Sequence, residues 1–320
     1  MTTTGAGGFA QALAAGPLVL DGGLSNQLAA AGHQLTDELW SARLLVDAPG
    51  ALVAAHRAYL RAGAEVVTTA GYQASFEGFA RRGIGRAGAE RLLRLSVELA
   101  REAVADEEGH EEGHEAGHEG SAERRRRWVA ASIGPYGAVL ADGSEYRGRY
   151  GLGIGELERF HGPRVEAVLA AGPDVLALET VPDADEAVAL LRVVRGLGVP
   201  VWLSYTVAGD RTRAGQPLAE AFGPAADAPE VLAVGVNCCA PRDVAEAVRI
   251  AARVTGKPVV AYPNCGEEWD PATRDWRGTP VGPAASAGGW VADGARLVGG
   301  CCRVGPDRIR ALAAVLGRPV

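Results

Sequence analysis

The sequence predicts an α/β chain of the (β/α)8 barrel type, and three observations predict it. Short apolar, β-branched runs bounded by turn residues recur along the whole length, and helix-period sequence follows each of them. The connections are also asymmetric: helices return to strands through tight turns at Gly63, Gly172, Gly198 and Gly256, whereas strands lead into helices through long loops. In order, the strand runs are PLVLDG (17–22), EVVTTA (65–70), WVAASI (128–133), DVLALET (174–180), PVWLSYT (200–206), VLAVGVN (231–237), PVVAYPN (258–264) and RLVGGCC (296–302). After the first strand, PGALVAAHRAYLRAG sets Leu52, Val53, His56, Tyr59 and Leu60 on one helical stripe that closes at Gly63. Asp183 with Glu186 reads as a capping box for a helix through Val188, Leu191 and Val194. A doubly wound open sheet is the runner-up, but no G-x-G-x-x-G follows the first strand. At 320 residues the chain, 1–320, is read as one barrel domain.

One stretch breaks the pattern. Residues 106–127, DEEGHEEGHEAGHEGSAERRRR, carry a GHEx repeat and then an arginine run between the second helix and the third strand. Low hydrophobicity and high charge make it a disordered, solvated insertion. Metal capture by His110, His114 and His118 is the alternative, but glycines at the same period oppose the helix it needs. The insertion precedes a strand, which in a barrel puts it on the face opposite the expected site.

Composition narrows the function classes. Apolar residues make up 48% and charged residues 22%, close to the soluble globular average. No uncharged run approaches the ~18 residues of a membrane span, and the N-terminus lacks a basic, then apolar, secretory pattern. A cytoplasmic protein with no membrane partner is expected. The net charge is −7, and Asp106, Glu107, Glu108, Glu111, Glu112, Glu115, Glu119 and Glu123 all sit in the insertion. The remainder is near neutral, with no basic stripe for phosphates, so nucleic acid is not an expected partner.

The five cysteines all fall in the last third, which is not a secreted disulfide framework. Asn237-Cys238-Cys239 closes strand six and Gly299-Gly300-Cys301-Cys302 closes strand eight, so both pairs reach the same rim. Three converging thiolates with a fourth position open would make a catalytic zinc site. Neighbouring cysteines on a strand point to opposite faces, so Cys301 and Cys302 can converge only where the chain bends, and Gly299-Gly300 permits that. From spacing alone a vicinal disulfide, a redox pair and buried structural thiols remain open. The missing C-x-x-C weighs against the redox reading.

Several segments together carry a more specific signal: DGG (21–23), ELWSARLL (38–45), GYQASFEGF (71–79), SIGPYGAVLADGSEYRG (132–148), LET (178–180), GVNC (235–238) and GGCC (299–302). With these the chain resembles the homocysteine S-methyltransferase family, most closely its S-methylmethionine-using branch, over nearly everything outside 106–127. The resemblance implies a (β/α)8 barrel and zinc held by Cys238, Cys301 and Cys302. Two positions depart from it: Cys239 is an extra thiol, and Cys265 in YPNCGE stands where serine is expected. Both are read as bystanders, because three thiolates and a substrate fill a tetrahedral shell.

The resemblance implies methyl transfer from a sulfonium donor, S-methylmethionine or S-adenosylmethionine, to the thiol of homocysteine, giving methionine. A free thiol of pKa about 8.5 is mostly protonated at neutral pH, and zinc removes that obstacle. No protein general base is then needed, and the residues must orient two amino acids. Asp21 and Glu179, carboxylates at apolar strand ends, suit α-ammonium groups; capping or a rim ion pair is the alternative. Asn237 is expected to orient a thiolate or carboxylate, or simply to form a turn, and the amides around Gly22 and Gly23 to take a carboxylate. Trp40, Tyr72 and Tyr136, on loops, are candidates to face the sulfonium or to act as apolar lids. The competing functions are a zinc-binding or storage protein without turnover, a methyltransferase for a related thiol or selenol, and another barrel enzyme using Glu179 as acid or base. No strand-end lysine is present for a Schiff base.

Overall fold

The computed structural model describes residues 6–35, 39–115, 126–270 and 275–318. Eight parallel strands carry it: β1 (Leu18–Val19), β2 (Val66–Thr68), β3 (Trp128–Ile133), β4 (Val175–Val181), β5 (Val201–Tyr205), β6 (Val231–Asn237), β7 (Val259–Tyr262) and β8 (Ala295–Val298). Neighbours follow chain order from β2 to β8, and β8 pairs in parallel with β1. A parallel bridge between Leu20 and Val66 joins the two edges, so the sheet returns on itself as the expected barrel. Around it lie α1 (Ala6–Ala15), α2 (Pro49–Arg61), α3 (Arg86–Glu115), α4 (Ile154–Leu169), α5 (Ala184–Val194), α6 (Pro241–Thr255), α7 (Ala284–Ala292) and α8 (Pro306–Val315). Among the described residues no helix is long and apolar enough to cross a membrane.

Alternation along the strands divides the molecule into two cores. Outward residues such as Val67, Val129, Leu176, Leu203, Val234 and Val259 pack under the helices. Inward residues Leu18, Leu20, Val66, Trp128, Val175, Trp202, Val260 and Leu297 fill the barrel, and Phe9 and Leu13 of α1 join them. Phe9 meets Trp128 edge to face at 5.3 Å and is fully buried, worth about 1.5–3 kcal/mol of hydrophobic stabilisation. Helix α1, which the strand pattern does not foretell, thus seals the N-terminal end. Further toward the C-terminal ends of β2 to β7 the inward positions turn polar: Thr68, Ser132, Glu179, Ser204, Asn237 and Tyr262. This polar layer is the floor of the candidate site.

The tight returns fall where expected, with Gly63, Gly172, Gly198 and Gly256 at φ of 96°, 63°, 71° and 64°, where a side chain would be strained. Two expectations need correction. Helix α3 continues to Glu115, well into the segment read as a disordered insertion from residue 106. Its extension is anchored by Glu107, which accepts from Arg57 Nε at 2.8 Å and Arg61 Nε at 2.9 Å, and by Asp106, 3.2 Å from Arg57 Nη1. Of the three insertion histidines, His118 lies outside the described residues. Asp183 does cap α5, through the Asp185 amide at 3.1 Å, but Glu186 forms no capping box with it. The Glu186 carboxylate is fully buried and turned to other partners, described below.

Candidate metal centre and active site

The sulfurs of Cys238, Cys301 and Cys302 lie within 4.8 Å of one another, and Cys238 Sγ is 3.7 Å from Cys302 Sγ. Their convergence comes from backbone irregularity at both strand ends. Cys238 sits at φ 49°, in the left-handed region, which turns it out of the alternation of β6. After β8 the chain leaves the sheet through Gly299 and Gly300. A Cβ on Gly299 would lie 2.5 Å from Leu20 Cβ, and one on Gly300 would lie 2.2 Å from Val304 Cγ1. Only glycine lets this turn press against β1 and carry both following cysteines to one point. The turn is then pinned: the Cys301 amide donates to Pro263 O at 2.8 Å, the Cys302 amide to Asn264 Oδ1 at 3.1 Å and the Arg303 amide to Asn26 Oδ1 at 2.7 Å.

Electrostatically the three thiols act as one group. Hydrogen bonds from Cys301 and Cys302 hold Cys238 well below the ordinary thiol range, and those same hydrogen bonds, with burial and the charge of Cys238, push the other two up. Tyr146 Oη, 3.2 Å from Cys238 Sγ, adds a further contact. The two remaining cysteines are turned elsewhere. Cys239 is fully buried in the outer core, where desolvation pushes its thiol up. Cys265 Sγ donates to Glu267 Oε2 at 3.0 Å, and Glu267 is held by Arg303 Nε at 2.6 Å.

Beside the thiols, the polar floor holds two buried carboxylates. Asp21 accepts from the Thr68 amide at 2.7 Å and the Thr68 hydroxyl at 3.0 Å, yet burial pushes it up to about 8. Glu179 accepts from the Ser132 hydroxyl and, at 3.0 Å, from Tyr262 Oη, and burial pushes it up to about 7. Desolvation is the leading cause for both, because neither has a cationic side chain to offset it. Tyr262 is itself fixed by Trp202 Nε1 at 3.1 Å and Ser204 Oγ at 2.8 Å. Asn237 spends its amide within the floor: Oδ1 accepts from the Thr180 amide at 2.7 Å and Ser204 Oγ at 2.8 Å, and Nδ2 donates to Thr180 Oγ1 at 2.7 Å. This clamp holds Thr180 at φ 59°, an unfavourable angle for a β-branched residue.

The remaining expected residues divide. Tyr72 is close enough to Cys238, Glu145 and Glu179 for each charge to push its hydroxyl up, after burial itself. Gly23 gives its amide to Val304 O at 3.0 Å, and a Cβ on Gly22 would lie 2.1 Å from the same oxygen. These two glycines therefore serve close packing of β1 against the cysteine turn. Trp40 is 45% exposed at the start of a short 3-10 helix, and its indole makes no aromatic or cation contact among the described residues. Tyr136 packs on Phe160 at 4.9 Å and Tyr150 at 5.2 Å rather than on the thiols.

Sequence reasoning missed five residues of the site and its support. Tyr146 and Glu145 lie in the quoted segment 132–148 but have no distinguishing spacing. Ser132 and Tyr262 are foretold only by inward parity with Glu179. Most hidden is Arg164, fully buried in α4, which donates to Ala74 O and Gly134 O at 2.9 Å each, Tyr72 O at 3.1 Å and Gly71 O at 3.4 Å. Behind it, His161 Nε2 lies 2.9 Å from Glu186 Oε1, which also accepts the Tyr136 amide at 2.6 Å. One buried cation so ties together the loops after β2 and β3, including the backbone that carries Tyr72.

Comparison with known proteins places this geometry. A family model described as homocysteine S-methyltransferase matches residues 18–316. A homocysteine S-methyltransferase of Bacillus subtilis, YbgG, is 41% identical over 301 residues, 93% of each chain. Homocysteine S-methyltransferase 1 of Arabidopsis thaliana is 38% identical over 324 residues, 95% of this chain and 94% of the other. Among solved structures, the metallated form of the homocysteine methyltransferase MmuM from Escherichia coli superposes with a TM-score of 0.81 at 40% identity, covering 93% of this chain and 96% of that one.

Proposed function

Because this chain belongs to the homocysteine S-methyltransferase family and so methylates homocysteine, we propose that zinc held by Cys238, Cys301 and Cys302 is its metal and S-methylmethionine or S-adenosylmethionine its donor. The observation that carries the metal assignment is the sulfur spacing. Two ligands about 2.3 Å from a tetrahedral centre stand about 3.8 Å apart, and Cys238 and Cys302 are already at 3.7 Å. Three soft thiolates with one open position fit zinc and leave room for a substrate sulfur. When bound, zinc supplies the deprotonated, oriented state of the homocysteine thiol at neutral pH.

The chain's own residues supply the rest. Asp21 and Glu179, buried without a cation, gain the ionised state when an α-ammonium group arrives, so they select an amino acid and draw it beside the thiols. Tyr146 directs its hydroxyl at Cys238 and steadies that sulfur. Asn237 and Thr180 fix the β4 and β6 ends so that Glu179 and Cys238 keep their separation. A storage role without turnover has no use for these carboxylates.

The test is a cysteine series assayed for zinc content and for methionine formed from homocysteine and each donor. Cys238→Ala, Cys301→Ala and Cys302→Ala should each lose zinc and transfer, while Cys239→Ala and Cys265→Ser keep both. Zinc-free but fully active enzyme, or loss of zinc from Cys265→Ser with retention in Cys238→Ala, would overturn the assignment.

A further inference from the structure

Two charged groups near the thiols form no ion pair among the described residues. Glu145 Oε2 is buried and accepts no hydrogen bond. Arg213, exposed in the loop after β5, makes no ion pair, and its guanidinium lies 5.9 Å over the ring of Tyr146. Tyr146 joins them to the reaction centre through its 3.2 Å contact with Cys238 Sγ. A buried carboxylate oxygen left unsatisfied costs about 1–3 kcal/mol, more when ionised, and a native chain keeps such a group where a ligand satisfies it.

The two sets of carboxylates are chemically distinct. Asp21 and Glu179 lie in the floor and already accept protein hydrogen bonds. Glu145 belongs to the outer loop between β3 and α4, beside Tyr146, which is 40% exposed. The substrate whose sulfur joins the thiols lies beside the floor carboxylates, which leaves the outer pair to the second substrate. A sulfonium sulfur has no hydrogen to give, and the orphaned oxygen therefore calls for an N–H donor. A guanidinium fork matches a carboxylate.

We propose that Glu145 and Arg213 form the clamp for the amino-acid end of the methyl donor, Glu145 taking its α-ammonium group and Arg213 its α-carboxylate, on either side of Tyr146. The proposal rests on the two-substrate reading above and names the donor class as α-amino-acid sulfonium compounds. Held there, the donor would lie along Tyr146 with its far end directed toward Cys238.

The experiment uses the full chain with zinc, S-methylmethionine as probe, and the variants Glu145→Gln and Arg213→Gln. Initial rates with each substrate varied in turn give two KM values, and calorimetry gives S-methylmethionine binding without turnover. Each variant should raise the donor KM and Kd about tenfold or more while homocysteine KM and zinc content stay within about twofold. Arg213 is exposed, so its variant reports even if Glu145→Gln folds poorly. Unchanged donor KM and Kd in both variants, or an equal rise in homocysteine KM, would overturn the clamp. Wild-type protein that binds the sulfonium without making methionine would instead refute the function proposed above, while the Kd comparison still decides the clamp.

Discussion

Replacing Glu179 with glutamine should make the metal-free protein more stable at pH 8 and unable to hold homocysteine. The carboxyl moves from an ordinary 4.5 in the unfolded chain to about 7 in the folded one. Between those values the folded state binds the extra proton, so stability falls as pH rises from about 4.5 to 7 and then levels off. At about 1.4 kcal/mol per tenfold change in proton affinity, the full penalty is ~3 kcal/mol above pH 7 and vanishes below 4.5. Glutamine removes the charge but keeps one acceptor for Ser132 or Tyr262, giving back about 1 kcal/mol. The expected balance is a gain of ~2 kcal/mol at pH 8 and a small loss at pH 4.5. Urea unfolding of metal-free wild type and variant at both pH values measures it, and homocysteine titration of the zinc form measures binding. A stability difference that is the same at both pH values would refute the account of Glu179 as a carboxylate strained by burial, and intact homocysteine binding would refute its role toward the ammonium group.

Two further outcomes follow from the buried ion networks. Arg164→Met should cost about 3–5 kcal/mol in urea unfolding, because it strips the carbonyls of Ala74, Gly134 and Tyr72 of their donor, and should raise homocysteine KM through displacement of the Tyr72 loop; a loss under about 1 kcal/mol would show those carbonyls are otherwise satisfied. Glu107→Ala should lower stability by about 1–2 kcal/mol by releasing Arg57 and Arg61 at the end of α3, yet leave kcat/KM unchanged, and a kinetic effect beyond about threefold would mean that the face opposite the thiols is coupled to the reaction.

The barrel was legible because each strand announces itself by apolar β-branched content, several also by a glycine turn before them, and the closing strands carry the cysteines. The two cysteine pairs could be placed near one another because strand ends of a barrel share a rim, while the choice of Cys238, Cys301 and Cys302 among them came from the family resemblance. What sequence periodicity could not supply were contacts made by single buried polar groups. Glu186 three residues after Asp183 has the spacing of a capping box, but its carboxylate is taken instead by His161, Tyr150 and the Tyr136 amide, partners distant in sequence. The GHEx segment misled for a related reason. Its composition is that of a solvated loop, and helix α3 persists into it because Arg57 and Arg61, distant in sequence, supply the charges that Asp106 and Glu107 lack locally.

Strain and uncompensated charge are distributed unequally between the two ends of the barrel. All six described non-glycine residues with left-handed φ, Trp40, Ala141, Arg149, Thr180, Cys238 and Arg303, lie at strand ends or in the loops that follow them. At the opposite end the positive φ angles of the helix-to-strand turns are taken by glycines such as Gly63, Gly172 and Gly256, at little steric cost. Asp21, Glu179 and the orphaned oxygen of Glu145 share the strained rim, and each is a buried acceptor without a cation. Such costs, of order 1–3 kcal/mol apiece, are tolerable only because the apolar barrel interior sealed by Phe9 and Leu13 stabilises the same strands from below. The arrangement therefore separates the two tasks along each strand: inward side chains near the N-terminal end hold the barrel closed, and inward side chains near the C-terminal end are free to be chemically reactive. With Asp21 and Glu179 in the role proposed above, a substrate ammonium group would satisfy both of these costly acceptors at once, so binding an amino acid should tighten the rim rather than distort it.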